Sequence, residues 1–253
     1  PDDLEGALVY YVTAVDEVPN ESMASGGFIA GVYGDPAVGT GFEEGDWEAL
    51  FVDPEQEMTI WELAEPTAGP EGAHTDTLCW STTPDTNDYL YTFYSDILMS
   101  EPFAITSITA NLTYWHWYDY EQDWDGYAVF AHVVGAPEDE LIQLMPLEGY
   151  DIEDLWAFET LFGINIPAFT GMSGGDVDPV WEQVNFPLSQ FYTGDMDPTM
   201  IQIAFVHASD EYVTNNFGLA IDDLGIYGTY PHIVGSIEGT VSSMEAGDPI
   251  EGV

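Results

Sequence analysis

Four carboxylates fall within eight residues in the run Asp119-Tyr120-Glu121-Gln122-Asp123-Trp124-Asp125-Gly126. Oxygen donors at this density suit Ca2+, which takes roughly six to eight oxygens at about 2.3–2.6 Å from carboxylates, carbonyls and water. Asp119, Glu121, Asp123 and Asp125 are therefore candidate Ca2+ ligands at a strand-to-strand turn. The competing reading is a solvated acidic loop.

Catalytic chemistry finds less support. His74, His116, His132, His207 and His232 are scattered singly and none is followed by Glu, so the His-Glu-x-x-His pair of a zinc metallopeptidase is missing. Ser-His-Asp hydrolysis lacks its Gly-x-Ser-x-Gly turn. A glycine loop that cradles phosphate would need a Lys. Cys79 is the lone Cys, which rules out an internal disulfide; without an activating cation it reads as a small buried apolar residue. With 47 Asp and Glu, close carboxylate pairs arise by chance, so a glycosidase pair carries no weight. The chain reads as non-enzymatic.

The run Tyr114-Trp115-His116-Trp117-Tyr118-Asp119-Tyr120 offers two uses. Strand alternation sends Tyr114, His116 and Tyr118 to one face and Trp115 and Trp117 to the other. Core packing is the favoured use of at least one set, and a sugar-stacking platform is the alternative.

Composition says what must surround these residues. Average usage gives a chain of this length on the order of 30 Lys and Arg, and these 253 residues contain none against 47 Asp and Glu, a formal charge of -47. No carboxylate here can pair with a Lys or Arg, and the compact state repels itself within a Debye length of about 8–10 Å. Bound Ca2+, high salt or acid must help. Phosphate contacts are made largely by Lys and Arg, so nucleic acid and anionic membrane surfaces are excluded as partners. Avoidance of trypsin-like cleavage and collection of divalent cations both account for the bias. Both place the chain outside the cell, extracellular or at the cell surface.

Hydrophobic residues at 45% and aromatics at 14% suffice for a packed core. No apolar run approaches the ~18 residues of a membrane span, so no membrane insertion is expected. The start at Pro1, with neither initiator Met nor signal peptide, suggests a mature or trimmed piece of a longer precursor. Asn20-Glu21-Ser22 and Asn111-Leu112-Thr113 are sequons, which makes Asn20 and Asn111 candidate glycosylation sites.

The elements that would hold the candidate ligands read as strands. Leu8 to Val12, Ile108 to Tyr120, Tyr127 to Val134, Met200 to His207 and Leu219 to Tyr227 are β-branched or aromatic and of strand length, separated by Gly, Pro, Asn and Asp. Helical periodicity is confined to Ile152 to Leu161. The pattern predicts an all-β sandwich in three sections: 1–38, 39–229 and 230–253.

Seven pieces follow in one order: Gly41-Phe42-Glu43-Glu44-Gly45-Asp46-Trp47; Ala73-His74-Thr75-Asp76-Thr77-Leu78-Cys79-Trp80; Leu112 to Glu121 with Asp125-Gly126; Pro167-Ala168-Phe169-Thr170-Gly171-Met172-Ser173-Gly174-Gly175; Trp181-Glu182-Gln183-Val184; His207-Ala208-Ser209-Asp210; and Gly218 to Gly228 around Ile221-Asp222-Asp223. Together they resemble the MAM-like and cleaved-adhesin jelly-roll domains, as appended to immune inhibitor A metallopeptidases and found in bacterial surface proteins. The resemblance implies an antiparallel jelly-roll β-sandwich used for binding or spacing. It also implies Ca2+ held by the Glu of the early Phe-Glu strand and an Asp of the Ile-Asp-Asp strand. Those positions are Glu43 with Asp222, and Asp223 as the alternate. Where the family commonly has Ile-Arg-Phe, this chain has Ile203-Ala204-Phe205, in keeping with its general loss of cations.

Residues 234–241 and 247–253 are similar to the opening of a carboxypeptidase regulatory-like Ig module, Pro1 to Val9 to the same strand entry continued into its strand, and Ser25 to Tyr33 to that family's later Gly-x-Phe strand. The flanks thus read as Ig-like β segments. Either the chain is cut from a tandem modular protein, or one subunit's end completes the next subunit's module by strand addition. The expected function is a structural subunit, stabilised by Ca2+ and self-associating into a homopolymer: a filament, sheath or surface array. The alternative is a carbohydrate- or protein-binding adhesive module of a secreted multidomain protein, with a glycan as possible ligand.

Overall fold

The computed structural model describes residues 38–40, 42, 47–51 and 59–227, except 90, 138–139, 175–176, 195–197 and 213–214. The strand expected over Leu8 to Val12, the Asn20 sequon, Glu43 and the Ig-like readings of both flanks lie outside the described residues.

Among the described residues, twelve strands and one α-helix follow in chain order: β1 (Val38–Thr40), β2 (Trp47–Phe51), β3 (Trp61–Ala64), β4 (Cys79–Thr82), β5 (Tyr94–Ser100), β6 (Phe103–Ile105), β7 (Asn111–Asp119), β8 (Gly126–Val133), β9 (Leu141–Gln143), α1 (Trp156–Phe162), β10 (Glu182–Pro187), β11 (Thr199–Ser209) and β12 (Gly218–Tyr227). They form two antiparallel sheets: β10-β7-β12-β4-β3 with β1 on β12, and β2-β5-β11-β8-β9 with β6 on β11. The fold is an all-β sandwich, and the four central strands expected from sequence occur within a few residues of their expected limits.

Alternation explains the core. On β7, Leu112, Tyr114 and Tyr118 point inward, and they meet Tyr127, Val129 and Ala131 of β8 and Ile201, Ile203 and Phe205 of β11 from the facing sheet. On β12 the inward residues are Leu219 and Ile221, then Leu224 and Ile226. That change from odd to even positions requires one extra residue, and the register shifts between Asp222 and Gly225, with Asp223 at φ 47°. Strict alternation would have put Asp223 in the core; the bulge keeps the apolar set inside. It falls between β12's pairing to β4 at Ala220 and Ile221 and its pairing to β1 from Leu224 to Ile226.

The outer face of the second sheet is covered by α1. Leu155, Ala157 and Phe158 pack on Ala128 and Phe130 of β8 and on Ala204, Val206 and Ala208 of β11. Ala204, where the resembled family carries Arg, is fully buried in this apolar cluster. The helix starts four residues later than its expected Ile152. Ile152 is held in an antiparallel bridge to Ala168, and Leu155 N donates to Ile166 O at 3.2 Å, so those residues are extended. The helix ends at Gly163, whose left-handed φ of 69° lets its N–H cap Glu159 O at 2.8 Å.

Candidate functional site

The β7–β8 turn folds back on itself: Trp124 N and Asp125 N both donate to Glu121 O, at 3.2 and 3.0 Å. Thr170 clamps this turn, its hydroxyl donating to Asp125 O at 2.7 Å and accepting from Asp123 N at 3.0 Å. The next residue, Gly126, has no room for a side chain, because a Cβ there would lie 2.1 Å from Phe169 O. The turn is therefore fixed, and Asp125 is driven into the sandwich end, where it is fully buried.

Asp125 meets the segment that follows β11. Its Oδ1 accepts from Asp210 N at 2.6 Å, and its Oδ2 accepts from the Tyr89 hydroxyl. Asp210 is itself buried, and its Oδ1 accepts from Tyr212 N at 2.9 Å. Carboxylate oxygens of Glu121, Asp125 and Asp210 all lie within 4.8 Å of one another. At an effective dielectric near 20, each such pair of full charges repels by about 3 kcal/mol. One oxygen, Glu121 Oε2, is buried with no hydrogen-bond partner. Burial, with Asp210 and Glu121 adjacent, pushes the Asp125 carboxyl up to about 7. Burial and then Asp210 raise Glu121. The donor set fits a hard cation: carboxylate oxygens only, close together, one buried and unused.

The histidines inside the sandwich do not supply a cation. His116 and His207 are fully buried, which pushes both down to about 3, so both are neutral. Their Nδ1 atoms meet the hydroxyls of Tyr127 and Tyr120 respectively.

A second acidic corner lies at the β12 bulge. Asp222 is fully buried; its Oδ2 accepts from Thr75 N at 2.9 Å and its Oδ1 from Asp223 N at 2.7 Å. Burial raises its carboxyl to about 6. Asp223 accepts from the Thr75 hydroxyl at 2.5 Å and pairs with His74 Nδ1 at 2.6 Å. His74 stacks on Trp115 with ring centroids 3.9 Å apart and meets Trp181 edge-on at 5.8 Å. Burial, with Asp222 alongside, pushes the Cys79 thiol well up, so it is an inert apolar residue.

The residues expected as ligands thus divide. Glu121 and Asp125 come together, joined by Asp210. Asp119 ends β7 and accepts from Asn216 Nδ2 at 2.9 Å, and Asp123 is exposed at φ 69°. Asp222 and Asp223 hold the segment around His74 and Thr75. Sequence reasoning did not assign Asp210 as a ligand, although His207-Ala208-Ser209-Asp210 was one of the seven motif pieces; it lies 85 residues from Asp125. Asn111 opens β7, half-buried, with Nδ2 3.4 Å from Asn185 Oδ1. Within the aromatic run, Tyr114, His116, Trp117, Tyr118 and Tyr120 are buried and Trp115 is half-buried beneath His74.

No protein-family profile and no curated protein matches the chain. Among solved structures, the K3 cleaved adhesin domain of Lys-gingipain from Porphyromonas gingivalis is similar at a TM-score of 0.40 and 15% identity, over 76% of this chain and 98% of that one. The K1 cleaved adhesin domain of the same protein gives 0.42 and 15%, over 75% and 96%. Among the described residues, no helix is long and apolar enough to cross a membrane.

Proposed function

We propose that this chain is a non-catalytic binding module of an extracellular multidomain protein, a jelly-roll-type sandwich with one end fastened by Ca2+ at Glu121, Asp125 and Asp210. The observation that carries the reading is the buried, partnerless Glu121 Oε2 beside two buried carboxylates, in a chain with no Lys or Arg to answer them. Ca2+ would supply charge compensation and a cross-link between the β7–β8 turn and the segment after β11. Both oxygens of Asp125 already accept hydrogen bonds, so water must complete the coordination. Such a site belongs with the weak extracellular class, with Kd on the order of 0.1–1 mM. It fills where Ca2+ is millimolar, which is outside the cell.

The competing filament reading would join subunits by strand addition through residues 234–253. Two experiments test the module reading. Calorimetric titration of Ca2+ into the full chain is expected to lose one site in Glu121→Gln/Asp210→Asn; unchanged stoichiometry overturns the metal assignment. Electron microscopy of the purified chain in Ca2+ is expected to show dispersed particles, and ordered polymers would overturn the module reading.

A further inference from the structure

Two tryptophans stand exposed at the same end of the sandwich. Trp124 is 44% exposed and Trp156 46%, which is unusual for side chains that normally give most of their surface to the core. Their ring centroids are 5.5 Å apart at 70°. The pair is fixed from below: Ala157 N donates to Trp124 O at 2.9 Å, so the β7–β8 turn and the start of α1 hold one another. Neither ring belongs to the core.

The surroundings are acidic. Asp123 precedes Trp124, Glu153 and Asp154 lie three and two residues before Trp156, and Glu159 stands one helical turn after it; all four are exposed. Residues three apart on a helix share a face, so Glu159 flanks the Trp156 ring. From these features we infer that Trp124 and Trp156 form a docking corner for a Lys or Arg side chain of a basic partner protein. An ammonium or guanidinium is attracted to an aromatic face within about 6 Å of its centroid, and Trp is the strongest such face. Two rings near a right angle make an open corner with two walls, the shape that encloses a compact cation. A sugar ring instead stacks on a flat open face, and successive sugars need faces laid side by side. Charge points the same way: a surface at -47 attracts a basic segment from a distance and repels sulfated, phosphorylated or sialylated ligands.

The inference names the partner chemistry of the binding-module reading and rests on it, but it does not need Ca2+ at the neighbouring carboxylates. The test is fluorescence titration of the full chain in Ca2+ with an octalysine peptide, its Nε-acetylated form and a neutral oligosaccharide. Octalysine is expected to bind, and the acetylated form not to bind. Trp124→Ala and Trp156→Ala are each expected to weaken octalysine binding about 3- to 30-fold, with the salt dependence unchanged because the charge is unchanged. Each residue is about half covered, so the Ala variants are expected to melt slightly below wild type and to stay folded at the titration temperature; Trp156→Phe, which keeps an aromatic face, retains part of the affinity. Equal octalysine affinity in wild type and both Ala variants means attraction by diffuse charge alone and overturns the inference. So does Trp-dependent binding of the oligosaccharide with none of octalysine. Loss of Ca2+ binding in the calorimetric titration leaves these outcomes readable, so the two ideas fail separately.

Discussion

The two acidic corners solve one problem in different ways. Around Asp222 and Asp223 the chain supplies its own partners: three backbone N–H groups, a Thr hydroxyl and the His74 ring. Around Glu121, Asp125 and Asp210 the internal partners run out, leaving a carboxylate oxygen buried and unbonded. A chain without Lys or Arg can bury single carboxylates by surrounding them with hydroxyls and amides, as Asp96 also shows with Thr59, Ile60 N and Tyr94. Three carboxylates at one point exceed what such donors can answer. The difference separates acids that hold the fold together from acids that need something from outside it.

The largest expected break is Asp125→Ala in Ca2+. It removes a buried acceptor from the Tyr89 hydroxyl and from Asp210 N and takes away a ligand, for a loss of about 3–5 kcal/mol in urea unfolding. Asp222→Ala removes the acceptor of the Thr75, Asp223 and His74 backbone N–H groups, and is expected to lower stability by about 2 kcal/mol while leaving the Ca2+ response intact. If the two variants behaved alike toward Ca2+, the contrast between the corners would be lost.

In chelator, acid is expected to stabilise the protein. The folded-state values of about 7 for Asp125 and about 6 for Asp222 lie above the unfolded carboxylate value of about 4. The folded state therefore holds more protons than the unfolded state between these limits. Stability should fall as pH rises through that window, by at most about 1.4 kcal/mol per pH unit per group. Melting temperature in chelator should thus rise from pH 8 to pH 5. A flat or opposite profile would mean that neither carboxyl is penalised by burial. The smallest effect is expected from His74→Ala, about 0.5–1 kcal/mol, since its pair with Asp223 is partly exposed and screened.

Much of the framework is legible in the residues themselves. The β-branched and aromatic runs at 111–119, 126–133, 199–209 and 218–227 announce their strands, and Tyr114 and Tyr118 fall inward as alternation requires. Alternation fails at Asp222-Asp223, because a bulge changes the phase of a strand without changing its composition. The run from Asp119 to Gly126 was legible as an acidic turn, but not which of its acids converge. Convergence is set by Gly126, which brings the turn against Phe169 O, and by the pairing that delivers Asp210 from a distant strand. The start of α1 was misplaced because Ile152, apolar and helix-compatible, is held by the bridge to Ala168, a contact that local pattern does not contain.

The Glu121 corner, and not the Asp222 corner, is expected to take its compensating charge from Ca2+. Melting temperature at fixed ionic strength, with saturating Ca2+ and with chelator, tests it in wild type, Glu121→Gln and Asp222→Asn. At 100 times Kd the ion should add about 2.7 kcal/mol. The expected result is a clear Ca2+ increment in wild type, the same increment in Asp222→Asn and almost none in Glu121→Gln. An unchanged wild-type transition, or an increment lost in Asp222→Asn and kept in Glu121→Gln, would contradict it.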